Sequence, residues 1–315
     1  MGTNSPRQRG FNRTSYVLIA LILLVVVGVG SYFGLGLLGI HVPGTGGSGG
    51  SDVQTPITTT SLHESVTYAG VTITVLSAQQ SQNFIDDPNT TTTGMVRLNL
   101  QEQNSTTVQV SWLYSDIARL ILPDKKTISP TFVKAKVGIA PGGMQTSIVD
   151  FAVPMGDKLG QLTLQLGAAN EAQMDIPLTG HADVSKYAPK NVKIGGQLLY
   201  FGLNWTLVSA TIQWSIAGQQ ASKGMDYVIV TLAVDNTLSQ EAITGSPFTY
   251  IRLQSGAVTA SPVDTTLPVS FAMSETGKSG TVTFLLPQSS SACTLILLSQ
   301  SQSGAKQAAM DFQLS

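Results

Sequence analysis

One cysteine, Cys293, occurs in 315 residues, which excludes an intrachain disulfide framework and any cysteine-based zinc site. Three histidines leave little material for histidine-rich metal chemistry. Charge is scarce as well: Asp, Glu, Lys and Arg make up 11% of the chain, against about a quarter in an ordinary soluble domain. Ser, Thr, Gln, Asn and 31 glycines take their place, a mixture that suits exposed strands and turns better than Glu/Lys-faced helices. After Arg7, Arg9 and Arg13 the chain holds 14 basic and 18 acidic residues with no basic stripe. Nucleic-acid binding has no electrostatic footprint here. No sustained 3.6-residue period follows residue 40. Residues 62–315 also lack G-x-S-x-G, H-E-x-x-H and a glycine-rich phosphate loop, so the duplicated region marks no serine nucleophile, zinc protease site or nucleotide cradle.

Long hydrophobic runs are confined to one place. Residues 16–40 contain no charge and are apolar all round; about 20 such residues span a bilayer as a helix. The three arginines precede the run, so the basic tail 1–15 is expected inside the cell and the remainder outside. The run is longer than the apolar region of a cleaved leader, and no small-residue cleavage site follows it. An uncleaved single-pass anchor in the cell membrane is therefore expected, held by membrane lipid. Gly30 and Gly34 form a G-x-x-x-G spacing through which two such helices could approach as a homodimer. Residues 41–61 are rich in Gly, Ser and Thr and read as a flexible stalk.

The rest of the chain is written twice. YAGVTITVLSA (68–78) and YFGLNWTLVSA (200–210) match at a spacing of 132, which also pairs Val96 with Val228, Leu100 with Leu232, and Asn104 with Asn236. Shifted by one, Arg119-Leu120 matches Arg252-Leu253, and Val149, Phe151 and Pro154 match Val282, Phe284 and Pro287. MDIPL (174–178) and MDFQL (310–314) stand near the two ends. Ordered matches with small length changes are the mark of tandem duplication. Two domains are expected, 62–180 and 192–315, joined by a linker at 181–191. Each alternates apolar with polar residues, as in Val71-Thr72-Ile73-Thr74-Val75, so one strand face meets a core and the other meets water. Short strands separated by turn signals, without alternating helices, predict an all-β fold of two tandem antiparallel β-sandwiches.

A Gly-aromatic-x-hydrophobic first strand ending in Ser-Ala, a V-x-L-x-x-x-N strand and turn, and an F-x-x-P strand near the end resemble one known family. It is the telokin-like, immunoglobulin-fold domains of unknown function on exported bacterial proteins. The resemblance covers both units, about three quarters of the chain. It implies two Ig-like domains behind a single membrane segment and a stalk, and it brings no catalytic residues. The first unit departs from the second at Gln103, where the second has Asp235, and at the loop Asp86-Asp87-Pro88-Asn89.

Few side chains suggest chemistry. Asp86, Asp87 and Asn89 offer the oxygen ligands calcium prefers, without the spaced carboxylates and bidentate Glu of an EF-hand loop; an acidic turn is the simpler reading. Asn104 and Asn236 close strands, where Asn tolerates positive φ and bonds its own backbone. Trp205 shares the alternating face of Leu203 and Leu207 and is expected in the core. Trp214 opens a variable loop, where an exposed ring would suit recognition. His41, His63 and His181 lie in the stalk or in connectors, outside every repeated strand. No catalytic residue, cofactor or committed metal site emerges. The expected function is non-catalytic: a membrane-anchored, extracytoplasmic Ig-like protein for binding or structural interaction at the cell envelope, with an envelope protein or glycan as partner. The alternative is a small-molecule or carbohydrate sensor or enzyme with its site between the domains, where Asp183, Lys186, Tyr187 and Lys193 supply polar groups.

Overall fold

Alternating residues of the repeat become strands that pair in one order, twice over. In the first half these are β1 (Thr58–Tyr68), β2 (Val71–Ser81), β3 (Met95–Asn104), β4 (Ala118–Ile121), β5 (Met144–Ala152), β6 (Thr163–Leu166) and β7 (Met174–Pro177). The second half has β8 (Lys190–Tyr200), β9 (Leu203–Gln213), β10 (Met225–Asn236), β11 (Ile251–Ser255), β12 (Lys278–Pro287), β13 (Ala292–Leu297) and β14 (Ala308–Gln313). One sheet runs β1-β2-β3-β5 and ends on the short strand Phe132–Lys134. Its counterpart runs β8-β9-β10-β12 and ends on Asp264–Thr265. A smaller sheet accompanies each: Thr127–Ile128 with β4, β6 and β7, and Val258–Ala260 with β11, β13 and β14. Neighbouring strands in these four sheets are antiparallel, so the fold is all-β.

This is a computed structural model describing residues 56–90, 93–300 and 304–314. The tail 1–15, the expected transmembrane segment 16–40 with Gly30 and Gly34, and most of the stalk lie outside the described residues, as does His41. Among the described residues no helix is long and apolar enough to cross a membrane. The only α-helical elements among them are single turns, Tyr114–Ile117 and Pro247–Tyr250, at equivalent places before β4 and β11.

Two boundaries differ from the sequence reading. Each half begins one strand earlier than its repeated motif, with β1 and β8. Thr58–Ser61, at the end of the expected stalk, already belongs to β1, because a run of β-branched threonines fits a strand better than a loose tether. The expected linker holds a 3₁₀ turn at Ser185–Tyr187, with Tyr187 buried.

The repeat extends to irregularities that sequence identity does not show. β1 and β2 meet through Ala69 (φ 49°) and Gly70 (φ 78°), and β8 and β9 through Phe201 (φ 57°) and Gly202 (φ 72°). Two central residues with positive φ match the right-handed strand twist of a tight hairpin. That requirement explains the two aligned glycines. A bulge interrupts each first pair, between Ser61 and Glu64 and between Lys193 and Gly196. His63 (φ 59°) occupies the left-handed position that Gly195 (φ 76°) holds in the other half.

Asn104 and Asn236 are buried and act as equivalent clamps. Asn104 Nδ2 donates to Val108 O and Ile139 O, both at 2.8 Å, while its Oδ1 accepts from Thr106 N at 2.9 Å. Asn236 Nδ2 donates to Gln240 O at 2.9 Å, Phe271 O at 3.0 Å and Ala272 O at 2.9 Å; its Oδ1 accepts from Leu238 N at 2.9 Å. Each clamp fixes the turn after its strand and a distant loop, and the bonds to Ile139 O and Phe271 O satisfy buried carbonyls.

Inward residues of both sheets share one core in each half. In the first, Ile73 and Leu98 meet Leu120, Leu164 and Ile176. In the second, Leu207 and Val230 meet Leu253, Leu295 and Phe312. Trp205 lies in this second core, edge-on to Phe271 at 5.8 Å, and its Nε1 donates to Tyr200 O at 3.1 Å, as a buried indole requires. Cys293 is buried in the same core. Replacing Asn236 by Ala strips partners from buried carbonyls, and Asn104→Ala does the same in the first half. Each substitution is expected to lower unfolding stability by about 3 kcal/mol, measured by urea denaturation. A loss no larger than that of an exposed Asn→Ala control would show that the clamps do not hold the turns.

Candidate functional site

The contact between the halves is built by the 11 residues, 214–224, that connect β9 to β10. They fold into a hairpin, Ser215–Ile216 against Gln219–Gln220, which covers the Ala69-Gly70 turn. Gly218 N donates to Ala69 O at 2.9 Å. Ala69 N donates to Gln220 Oε1 and Gly70 N to Ser215 Oγ, each at 3.2 Å. A Cβ on Gly70 would stand 2.8 Å from Thr106 Cγ2 and 3.0 Å from Ala217 Cα, so close approach demands glycine as firmly as the turn does.

Further along, Ala172 N donates to Ala221 O at 2.8 Å and Lys223 N to Asn170 O at 2.9 Å. Gln220 Nε2 donates to Ala172 O at 2.9 Å. Trp214, read from the sequence as a recognition candidate on a loop, is half-buried. Its ring meets Tyr187 edge-on at 4.9 Å, so it is not a free ring facing solvent; it joins the halves. The polar groups expected around the linker are also largely committed. Asp183 Oδ1 accepts from Ser185 N at 2.9 Å, and Lys186 Nζ lies 4.8 Å from the Tyr187 ring centroid. Lys193 sits at the β8 bulge.

Two pockets flank this contact. One, of about 250 Å³, is lined by Thr67, Gly70, Thr106, Tyr187, Trp214 and Ala217. The other, of about 520 Å³, is lined by Tyr68, Trp112, Glu171, Gln219, Ser222 and Tyr227 among others. In it, Glu171 Oε2 accepts from Tyr68 Oη at 2.9 Å and from Ala168 N at 2.8 Å. Tyr227 Oη donates to Gln219 Oε1 at 3.3 Å. Trp112 stands edge-on to Tyr68 at 5.5 Å. Burial, with the Glu171 carboxylate second, pushes the Tyr68 phenol far above its ordinary range. Three aromatic rings and one carboxylate thus surround a cleft whose lining carries no cation. The sequence did not single out Tyr68, Trp112, Glu171 or Tyr227, because residues from both halves meet only through the hairpin.

The acidic loop takes another role. Arg97, near the start of β3, donates from Nε to Asp150 Oδ1 at 2.9 Å and from an Nη to Asp150 Oδ2 at 2.7 Å. Its other Nη lies 2.8 Å from Asp86 Oδ1, and its guanidinium covers Phe84 at 4.2 Å. Burial favours protonation of Asp86, but Arg97 outweighs it and holds the carboxyl below the usual range. At Asp150 burial wins and raises the carboxyl despite Arg97, with the Asp87 charge adding to the rise. Asp87 Oδ1 accepts from Asn89 N at 2.7 Å, and Asn89 Nδ2 donates to Thr131 O at 2.7 Å. Asp86 Oδ1 and Asp87 Oδ1 are therefore spent on a guanidinium and on backbone, while the buried Asp87 Oδ2 has no hydrogen-bond partner. Among the described residues no group of three His, Cys, Asp or Glu side chains is placed to hold a metal ion.

A second buried acid, Glu102 in β3, accepts from Tyr114 Oη at 2.5 Å. Burial pushes its carboxyl up, and burial followed by the Glu102 charge pushes Tyr114 well above its ordinary range. At the equivalent position in β10 stands Val234.

No family model and no curated protein matches the chain. Among solved structures it is similar to a conserved hypothetical protein from Bacillus anthracis, at 8% identity and a TM-score of 0.29, over 38% of this chain and 96% of that one. A conserved domain protein from the same organism aligns at 7% identity and a TM-score of 0.24, over 82% of this chain and 91% of that one.

Trp214→Ala removes the ring that ties the hairpin to Tyr187. It is expected to cost about 2 kcal/mol and to split one calorimetric melting transition into two as the halves uncouple; a single unshifted transition would count against this role. Glu102 carries a pH signature. The folded state holds its proton more tightly than the unfolded chain does, so its contribution is full below the ordinary glutamate value, about 4.3. It is lost as pH rises through the raised folded value. Glu102→Gln should abolish that decline in urea midpoints measured from about pH 4 to pH 8.

Proposed function

We propose that the chain is a non-catalytic, membrane-anchored protein that displays two Ig-like β-sandwiches outside the cell for binding or structural interaction. The observation that carries this reading is the hairpin segment 214–224, which locks two duplicated halves into one unit through main-chain bonds to Ala69, Ala172 and Asn170. A rigid pair behind an apolar N-terminal segment suits presentation of a surface. The polar side chains that could serve chemistry are instead occupied: Arg97 by two aspartates, Asn104 and Asn236 by carbonyls, Glu102 by Tyr114. The telokin-like resemblance supports the same assignment through its strand motifs. The direct experiment is recovery of an envelope protein by the full chain, solubilised in detergent, from membranes carrying it. Specific capture of an envelope protein is expected, and capture that the Trp214→Ala variant retains only after its halves uncouple would contradict a role for the rigid pair.

The cleft lined by Tyr68, Trp112, Glu171, Gln219 and Tyr227 favours a second reading, a small-molecule sensor whose ligand is an uncharged saccharide. Aromatic faces suit the C–H faces of a sugar, while the carboxylate and amide suit its hydroxyls. The absence of a lining cation disfavours anionic ligands. Quenching of tryptophan fluorescence by neutral oligosaccharides, lost in Trp112→Phe, would support it; no quenching across a panel of neutral oligosaccharides would end it.

A further inference from the structure

Trp112 is a wall shared by two pockets. Together with Ser111 it lines the cleft between the halves and also a further pocket of about 220 Å³ in the first half. In the cleft its ring meets Tyr68 edge-on at 5.5 Å, and in the further pocket it meets Tyr114 edge-on at 6.1 Å. Each tyrosine hydroxyl donates to a carboxylate, Tyr68 to Glu171 and Tyr114 to Glu102. Both pockets therefore present the same pair of ring types, a tryptophan and a tethered tyrosine.

They differ in charge. The cleft is lined by the Glu171 carboxylate and by no cation. The further pocket is lined by Lys136 and by no carboxylate. Lys136 is exposed, and among the described residues it forms no ion pair. Glu102 lies behind Tyr114 and is fully buried, and burial favours its neutral form, so Lys136 sets the sign of this pocket. Leu113 and Val137, 54% and 76% exposed, line it as well. Such apolar walls reward an organic body and give a small inorganic anion nothing. Ser111, Ser115 and Gln145 offer polar groups beside them.

We propose that the cleft and this pocket are two subsites for one acidic oligosaccharide: a neutral unit occupies the cleft, and a unit bearing a carboxylate occupies the pocket beside Lys136, with Trp112 between them. This rests on the saccharide reading of the cleft and adds to it the charge and the minimum length of the ligand. The order of the units follows from the lining charges. Reversed, the ligand would set its carboxylate against Glu171 and leave Lys136 without a partner. Trp112 offers one ring to both units, and Tyr68 and Tyr114 each serve one of them.

The test is isothermal titration of the full chain in detergent with a panel of neutral disaccharides. Each is matched to a counterpart in which one terminal hydroxymethyl group is oxidised to a carboxylate, and the free hexuronic acids are titrated beside them. The best acidic disaccharide should bind about fivefold more tightly than its neutral match, the gain expected of one exposed ion pair. Lys136→Gln should remove that preference and leave neutral binding unchanged, and added salt should weaken the preference as well. The free hexuronic acid should bind at least tenfold more weakly than the disaccharide, because it fills one subsite only. The two-subsite assignment is overturned if matched disaccharides bind alike, if Lys136→Gln leaves the preference intact, or if the free acid binds as tightly as the disaccharide. Neutral binding that Trp112→Phe abolishes, without any preference for the acid, overturns this assignment alone. Absence of binding by every disaccharide overturns the saccharide reading of the cleft with it.

Discussion

Everything distinctive in this molecule turns on the close approach of Ala217 to Gly70. A side chain at residue 70 would meet the backbone of the hairpin and the methyl of Thr106, so the absence of one Cβ lets main-chain donors from two domains reach each other. The hydrogen bonds of Ala69, Gly70 and Gly218 follow from that approach, as do the seating of Trp214 on Tyr187 and the two pockets on either side. Interfaces between domains of one chain usually leave relative motion as the default. Here backbone-to-backbone bonds replace part of what would be a sliding, side-chain-mediated contact.

The two halves share a frame and differ in what fills it. Turn, bulge and asparagine clamp recur at a spacing of 132 residues, with φ values of the same sign at matched positions. Buried charge does not recur. Arg97 and Asp150 face each other across β3 and β5, whereas Ile229 and Thr283 face each other across β10 and β12. Glu102 has an apolar counterpart in Val234. Ion pairs taken out of water gain little over well-packed apolar residues, so the first half draws no evident stability from this arrangement. Its visible effect is geometric: Arg97 anchors Phe84 and Asp86 and so shapes the loop between β2 and β3.

How much was legible beforehand depended on whether the cause was local. Alternation at Val71-Ile73-Val75 and the aligned glycines at 70 and 202 are local requirements, and the all-β class and the duplication could be read from them. β1 and β8 were missed because their outward residues are Thr, Glu, Lys and Gly, and burial on one face of an edge strand leaves a broken pattern; the bulges at His63 and Gly195 then shift its phase. Trp214 could be placed on a loop but not on Tyr187, since nothing in either segment records that the two meet. For the same reason the cleft around Tyr68, Trp112 and Glu171 was invisible: its walls come from segments more than 100 residues apart, brought together only by tertiary contact. The acidic loop was readable as acidic, but its partner Arg97 was hidden in an apolar strand.

The unequal distribution of buried charge also bears on how such a chain reaches its native arrangement. Sibling halves joined in tandem invite exchange of equivalent strands during folding. If β3 were to pair with β12 instead of β5, Arg97 would face Thr283 and its guanidinium would be interred with no carboxylate opposite, a mismatch worth about 3–5 kcal/mol. The reciprocal error would leave Asp150 stranded against Ile229. The Arg97–Asp150 pair thus labels the strands of the first half as belonging together, and separates it from a neighbour of nearly identical topology.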